Sequence, residues 1–464
     1  MLSKLRKLIG TRAFYAMVIA VVVPIIVQNA ITNFVNLLDN LMVGRIGTDQ
    51  MSGVAIANQL IFVFNLTIFG AISGAGIFTA QYHGAGNTDG VRASHRYKVY
   101  ICAMVLVIAC VLFLTMGRQL VSLYLTDTSD PVRVQNTLNY AMEYLHVMLL
   151  GLAPFAIAQS YSSTLRETGE TAMPMYAGII AVAVNLVFNY LLIFGKFGFP
   201  CLGVKGAAYA TVLSRYVELI FIVVYSHTHT RKHPFAKNLY RVLSIPRAVV
   251  VEITRTGTPL LVNELLWSMG MATLNQIYTL RGLDVVAASN ISSTVYNLFS
   301  VAFMAMGTAS AIIVGQSLGA SKPETARTDA GKLTAFAVMI SLGVGIVLYC
   351  FAALIPLLYN TTASVQILAT QLIRVTCCMM PFVAISHCSY FIMRSGGKTI
   401  ITFLFDCVFT WAVNIPVAYL LAHFTGLHVV LVFLCVQALE IPKCIVGATL
   451  IHKGVWIQNL VSDL

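Results

Sequence analysis

Twelve long apolar stretches divide this chain, and few of the residues within them carry a charge. Of the 464 residues, 58% are hydrophobic and only 10% are charged, whereas soluble domains carry about 25% charged residues. The stretches are long enough for membrane-spanning helices and too long, without alternation, for transmembrane strands. We therefore predict an all-α integral membrane protein with twelve transmembrane helices. The stretches cover residues 14–39, 52–80, 97–116, 141–165, 173–194, 205–226, 252–280, 286–315, 331–357, 367–393, 399–422 and 428–451.

The basic residues predict how these helices are oriented. With the N-terminus in the cytoplasm, 20 of the 29 Lys and Arg fall on the cytoplasmic side and six on the outside. This bias follows the positive-inside rule, so we predict a multi-pass plasma (inner) membrane protein with both termini cytoplasmic. The first apolar stretch is too long for the core of a signal peptide, and we predict a retained helix.

The formal net charge of +12 does not indicate a nucleic-acid partner, because the charges are spread over many loops. We interpret the basic stretch from Arg231 to Arg255 as a topology determinant near anionic headgroups. Residues 227–233 (HTHTRKH) could hold a metal ion, but a solvated cytoplasmic loop is the favoured interpretation. The ten cysteines show no spacing framework, which is typical of buried thiols that act as small apolar residues.

The chain contains an internal repeat. A shift of 235 residues aligns the early part of the sequence with the later part, and the shift becomes 228 further along. The clearest matches are Pro24 with Pro259, Gly47 with Gly282, AQYHGA (80–85) with GQSLGA (315–320), and LRETGET (165–171) with MRSGGKT (393–399).

The repeat predicts three segments. They are an N-lobe over residues 1–226, a basic cytoplasmic linker over residues 227–251, and a C-lobe over residues 252–464. Because six helices are an even number, both lobes enter the membrane from the same side, and such parallel repeats are a transporter architecture. Two bundles around a central site suit alternating access, whereas a channel is the less natural alternative.

A polar stripe runs along the first helix. Asn29, Asn33, Asn36 and Asn40 recur at helical spacing, with Asp39 beside them, so they share one face that should point into the protein. An ionised Asp at the centre of a bilayer costs about 2.5–3.5 kcal/mol on insertion scales. The acid is therefore expected to titrate or to bind an ion. The alternative is an Asp that caps the helix or pairs with a loop near the surface.

Asn185 and Asn189 lie four residues apart in the fifth stretch and share a helix face. Amide oxygens and one carboxylate are suitable ligands for a sodium ion, and a desolvated carboxylate could instead carry a proton. Asp39 with Asn36 and these two residues is the predicted ion-coupling site. No other metal and no cofactor is expected beyond the transported proton or sodium ion.

The second half carries different acids. Glu264 and Asp406 lie on polar stripes of their own helices and are predicted to face a substrate cavity, unless they bond each other, or Arg374, as a structural network. Trp267 and Met271 could line the same cavity for a lipophilic cation, and Asn297 is assigned to it. Plain core packing is the alternative for such apolar residues.

No catalytic constellation is present in the sequence. It has no Walker loop, no HExxH and no GxSxG, so we predict that the chain is not an enzyme and that any transport draws on an ion gradient rather than on a nucleotide.

The chain carries LLDNLMVGRIG, QYHGAGN, LRETGET and GKFGFPCLGVKGAAYAT in this order. Together these motifs resemble the multidrug and toxic compound extrusion (MATE) family, in its bacterial NorM/DinF-like branch, and the resemblance covers essentially the whole chain. It implies a V-shaped pair of six-helix lobes and export of organic cations or drugs by antiport with protons or sodium ions. The expected partners are the lipid bilayer and small organic cations, without nucleic acid, and the chain is expected to be a monomer.

The resemblance also assigns residues. It places the coupling site of the first lobe at Asp39, and it adds Asn185, Asn189 and Thr211 as matching polar positions. The sequence departs from the sodium-associated pattern in the second lobe, because Glu264 lies about one turn early and the tenth stretch lacks an acid. A lipid or lipid-linked saccharide flippase of the same superfamily is the alternative function, although a pyrophosphate-bearing lipid would favour more Arg or Lys inside the helices.

Overall fold

The computed structural model describes residues 9–125, 130–279, 283–359 and 361–462. Its long elements in these ranges are twelve helices, as predicted. They are α1 (Arg12–Gly44), α2 (Thr48–Gly84), α3 (Thr88–Ser122), α4 (Pro131–Glu167), α5 (Ala172–Phe194), α6 (Val204–Thr228), α7 (Arg247–Thr279), α8 (Leu283–Gly319), α9 (Pro323–Phe351), α10 (Ala363–Ser395), α11 (Thr399–Phe424) and α12 (Val429–Lys453).

Within the described residues, eleven of these helices are long and apolar enough to cross a membrane. The remaining helix, α7, has 33 residues, which is ample length for a span at 1.5 Å per residue. It carries Glu252 and Arg255 near its start and Glu264 in its middle.

Local signals set several helix ends. Asp130 accepts hydrogen bonds from the backbone of Val132 and Arg133 at 3.1 and 3.2 Å, so it satisfies two of the donors that a helix start leaves unpaired. Helix α5 ends at Phe194 and is followed by Gly195, whose φ of 64° is left-handed. Glycine adopts this conformation without the steric cost of a side chain, and the chain can turn there.

The last two helices are irregular. Helix α11 contains two wider turns of π-helix, at Leu404–Val408 and Thr410–Asn414. Helix α12 is interrupted at Leu439, between Val429–Ala438 and Glu440–Lys453. Turns of π-helix are rare in proteins overall, but those that occur are often found at functional sites. The first of the two π turns of α11 contains Asp406.

The chain folds into two compact units. The N-half unit comprises Val27–Thr79 and Thr88–Thr254, and the C-half unit comprises Met1–Ile26, Ala80–Asn87 and Arg255–Leu464. Helices α1 and α2 therefore each contribute residues to both units. The predicted division into N-lobe, linker and C-lobe concerns the order of segments along the chain, and its boundaries stay a prediction.

The segment between α6 and α7 belongs to the N-half unit and packs against the rest of it. His233, Phe235 and Leu239 are all at least 95% buried. Burial lowers the pKa of His233, which favours the neutral imidazole. The prediction of a solvated loop at residues 227–233 is therefore wrong for His233, because the apolar residues that follow it draw the segment onto the protein.

Within the C-half unit, the end of α2 packs closely on the end of α8. A Cβ atom at Gly84 would overlap the carbonyl of Gln316, and one at Gly319 would overlap the carbonyl of Gln81. These four residues are the pairs that the repeat aligns, so the contact is reciprocal. Only glycine allows two backbones to approach this closely.

We expect Gly319→Ala to destabilise the protein by about 1–3 kcal/mol, because the added methyl group overpacks a backbone contact that cannot easily yield. Gly343→Ala is the matched control, since a Cβ there meets no atom within 4 Å and alanine is the better helix former. Thermal unfolding of the two purified variants in detergent measures the difference. Equal midpoints for both variants would show that the glycine contact is not tight.

Candidate functional site

The N-half unit brings Asp39 together with three predicted partners from two other helices. Asn189 Nδ2 donates to Asp39 Oδ1 at 2.5 Å and to Asn185 Oδ1 at 3.0 Å. Asn185 Nδ2 donates in turn to Thr211 Oγ1 at 3.2 Å. Helix α1 thus supplies the acid, α5 supplies both amides at a spacing of one helical turn, and α6 supplies the hydroxyl.

A close helix contact positions this chain of polar groups. A Cβ at Gly206, near the start of α6, would lie 2.5 Å from the carbonyl oxygen of Leu192 in α5. Glycine therefore lets the two helices approach at backbone distance. Thr211, just over one turn further along α6, then lies within hydrogen-bonding reach of Asn185.

One acceptor in this site has no donor. Asn189 is fully buried, and its Oδ1 has no hydrogen-bond partner within the described part of the chain. Buried polar atoms without partners are rare in folded proteins, and an amide oxygen beside a carboxylate is a suitable ligand for a hard cation. The same oxygen could accept a hydrogen bond from a protonated group.

The charge of Asp39 also lacks a basic partner. Among the described residues, the eight ion pairs of the structure do not include it. An ionised carboxylate taken out of water is costly unless a positive charge compensates it. The arrangement therefore suits a carboxylate that binds either a proton or a small cation. Asn36, the fifth predicted member, lies in α1, but its side chain falls outside the described residues.

The predicted acids of the C-half unit lie in one hydrogen-bonded cluster. Tyr390 Oη donates to Glu264 Oε1 at 3.4 Å. Asn263 Nδ2 lies 3.3 Å from both Tyr390 Oη and Asp406 Oδ2. Lys443 Nζ lies 3.0 Å from Asp406 Oδ1. Glu264 and Asp406 are thus joined through an amide and a phenol rather than directly.

Lys443, Asn263 and Tyr390 are members of this cluster that the sequence analysis did not predict, and Lys443 carries its positive charge. It also lies 3.5 Å from Glu440 Oε1, and its ammonium group lies over the rings of Phe405 and Phe409 at 5.5 and 5.9 Å from their centroids. Asp406 therefore has an internal cation. A lone Lys within an otherwise apolar stretch, three residues after Glu440, was the available signal.

Four other residues were named in the prediction for the second half, namely Arg374, Trp267, Met271 and Asn297. Arg374, the alternative partner of the acids, lies over the ring of Tyr349 at 5.4 Å. Trp267 is half-buried, whereas Met271 and Asn297 are exposed. Their assignment to a substrate cavity stays a prediction.

The N-half unit contains a largely buried ion pair that the sequence analysis did not predict. Lys98 of α3 pairs with Glu167 at the end of α4, and its ammonium group also donates to Ser163 and Thr164 at 3.1 Å. The pair fastens α3 to α4. The pair could not be recognised from the sequence, because Lys98 lies at the boundary between the charged first turns of α3 and its apolar remainder.

Comparison with known proteins identifies the family. A family model described as MatE matches residues 24–191 and again residues 259–420, well over half of the chain. The chain belongs to the MatE family. Its two matched segments begin at Pro24 and Pro259, the pair that the internal repeat aligns. The MATE fold is confirmed as twelve transmembrane helices in two six-helix lobes that repeat in parallel.

Bacterial relatives of this MATE protein match nearly its full length. The "Probable multidrug resistance protein YoeA" of Bacillus subtilis is 25% identical over 414 residues, which are 88% of this chain and 87% of that protein. The "Probable multidrug resistance protein NorM" of Thermotoga maritima is 26% identical over 411 residues, with coverage of 88% and 85%. These relatives support a transporter rather than an enzyme.

Solved structures share the fold. An outward-facing multidrug resistance MATE family transporter of the MOP superfamily superimposes with a TM-score of 0.85 at 20% identity, covering 97% of this chain and 98% of that chain. A MOP superfamily transporter from Pyrococcus furiosus gives a TM-score of 0.83 at 20% identity, with the same coverage. At this level of identity the likeness concerns the fold alone.

Proposed function

We propose that this MATE protein exports organic cations, including drugs, in exchange for protons or sodium ions. The observation that carries the proposal is the site at Asp39, where a carboxylate accepts a hydrogen bond from the buried neutral amide of Asn189 and has no ion-pair partner among the described residues. Such a group gains stability when it binds a proton or a cation. The printed names of its relatives, multidrug resistance proteins, support a drug as the exported species.

Coupling follows if Asp39 exchanges its ion between the two sides of the membrane. Binding of a proton or sodium ion on one side favours one conformation, and release on the other side favours a second conformation. A ligand shifts such an equilibrium only by its difference in affinity for the two states. The buried amide of Asn189, which donates to the carboxylate and is held by Asn185, would supply that difference if the contact is made in only one of the two conformations.

Glu264 is the acid proposed to face the transported cation. Asp406 already has Lys443 as a partner, whereas the one hydrogen bond described for the Glu264 side chain comes from the neutral Tyr390. The charge of Arg394 also acts on Glu264. A carboxylate with a neutral hydrogen-bond partner can offset the cost of bringing a cation out of water.

The test is transport by purified protein in liposomes. Liposomes containing a cationic dye are given an imposed proton gradient, a sodium gradient or neither, and dye movement is followed by fluorescence. We expect movement only with one of the two gradients. Dye movement that is independent of both gradients would contradict antiport, and transbilayer movement of a fluorescent lipid without dye movement would instead favour the flippase.

Both termini are proposed to lie in the cytoplasm, since the basic residues are concentrated on that side. Cys201, between α5 and α6, is exposed, and so is Lys237 in the linker. In a background without other cysteines, we expect an impermeant maleimide to label Cys201 on whole cells. A Lys237→Cys variant should be labelled only after the membrane is broken. The reverse order would invert the topology.

A further inference from the structure

Side chains of helix α3 donate hydrogen bonds to backbone carbonyls of the linker. Three side chains spaced four residues apart, and hence on one face of α3, each donate to a linker carbonyl. The bonds run from Arg92 Nη2 to Pro234, from Arg96 Nε to Leu239 and from Tyr100 Oη to Leu243, each at 2.8 Å. Because the basic side chains of α3 bind backbone carbonyls, the basic side chains of the linker itself are not needed for this attachment.

The attachment at Tyr100 lies where α3 changes from polar to apolar sequence. Before this residue α3 is rich in charged and polar side chains, and after it the helix is apolar. Tyrosine is enriched at membrane–water interfaces. An exposed apolar face then continues along α3 at helical spacing, formed by Tyr100, Met104, Val107, Ile108 and Val111.

The outward side of the linker is both basic and apolar. Lys237, Arg241 and Arg247 are exposed, and within the described residues none of them forms an ion pair. Between them, Val242 and Leu243 are 53% and 59% exposed. We call these five residues the linker surface. Exposed apolar side chains beside unpaired basic ones are typical of a surface that rests on a membrane.

We propose that the linker surface is a binding site for an anionic phospholipid. The phosphate of the headgroup binds Arg241 and Arg247, with Lys237 nearby, while Val242 and Leu243 enter the headgroup boundary. The acyl chains lie along the exposed face of α3 that begins at Tyr100.

Charge complementarity favours this occupant. From residue 229 to residue 251 the sequence contains five Lys or Arg and no Asp or Glu, so a negatively charged partner is attracted. The side chains of α3 that would otherwise share the headgroup, Arg92 and Arg96, are occupied by carbonyls. The proposal does not depend on which substrate the protein exports or on which ion drives the export.

The test uses a tryptophan reporter in the full-length protein. A Leu243→Trp variant is reconstituted into vesicles that mix phosphatidylglycerol with phosphatidylcholine, and either lipid is brominated so that it quenches nearby tryptophan. The parent protein with its three tryptophans supplies the background. We expect the reporter to be quenched preferentially by phosphatidylglycerol. Each basic residue near a membrane surface contributes roughly fivefold to the binding of anionic lipid.

A triple variant identifies the residues responsible. Lys237→Gln, Arg241→Gln and Arg247→Gln together should reduce the preference for phosphatidylglycerol by at least about fivefold. The control replaces Arg45, Arg118 and Lys196 by Gln, which are exposed basic residues outside the linker surface, and should keep the preference. A charge-conserving Arg241→Lys and Arg247→Lys variant should keep it as well.

Three results would overturn the proposal. Equal quenching by the two lipids would mean a membrane contact without selection for negative charge. Absence of reporter quenching by either lipid would mean that the linker surface does not touch the bilayer. A triple variant that is as selective as its parent would place the lipid elsewhere.

Discussion

Replacing Asp39 by asparagine is expected to reduce ion-driven export to the rate of protein-free liposomes, while the protein remains folded and inserted. The substitution removes the group that exchanges a proton or a sodium ion, so a gradient has nothing to act on. It also removes a charge that has no ion-pair partner among the described residues, which should not destabilise the fold. The measurement is the initial rate of dye export by purified Asp39→Asn protein under an imposed gradient.

Asp49→Asn is the matched control for this experiment. Asp49 forms an ion pair with Arg133 at 2.8 Å, but that arginine is 56% exposed, and exposed pairs contribute about 0–1 kcal/mol. The control should export at the normal rate. Normal gradient-driven export by Asp39→Asn would show that Asp39 is not the coupling residue, and it would leave the unpaired Asn189 oxygen without an explanation.

Replacing Lys443 by methionine is expected to destabilise the protein by about 3–5 kcal/mol. The substitution leaves Asp406 and Glu440 as neighbouring, mostly buried carboxylates, 19% and 17% exposed, without the buried cation that they share, and breaking a buried pair from one side is costly in this range. The loss should appear as a lower midpoint of thermal unfolding in detergent.

The double variant tests whether the pair is the cause. Adding Asp406→Asn to Lys443→Met removes the uncompensated charge and should recover much of the lost stability. Asp406→Asn alone should cost less than Lys443→Met, because Lys443 retains Glu440 at 3.5 Å. Additive effects of the two substitutions would mean that the ion pair does not couple them.

Glu264 should behave differently from its neighbour Asp406. We expect Glu264→Gln to fold normally and to weaken equilibrium binding of an organic cation more than binding of a neutral analogue. Asp406→Asn should affect both ligands alike, since Asp406 is compensated by Lys443. Equal loss of both ligands in Glu264→Gln would assign Glu264 to the structural network instead.

The fold could be predicted from the sequence because a bilayer imposes simple rules. Spanning helices require long apolar stretches, and the duplicated motifs gave the two halves. The cluster at Asp39 could be predicted in part, since Asn185 and Asn189 share a face at a spacing of one turn. Thr211 required the resemblance to a family, because one hydroxyl in an apolar helix carries no signal of its own.

Contacts between helices far apart in sequence could not be predicted. The partner of Asp406 is Lys443 rather than Arg374, and the local pattern of either helix does not show which faces meet. Likewise His233 stands in a polar run that is typical of a solvated loop. Its burial accompanies hydrogen bonds from side chains of α3 to the backbone of the residues that follow His233. These donors lie more than 130 residues earlier in the chain.

The π turns of α11 lie where the two halves of the internal repeat differ in length. Thr171 aligns with Thr399 at an offset of 228, but Tyr190 aligns with Tyr419 at an offset of 229, so the second copy holds one residue more within this helix. An α-helix turns by about 100° per residue, and a π turn can absorb an added residue without breaking the helix. A single insertion thereby turns Asp406 relative to Asn414, the counterpart of Asn185. Duplicated helices of equal ancestry can thus acquire acids on different faces, and a gene duplication need not yield two copies of one ion site.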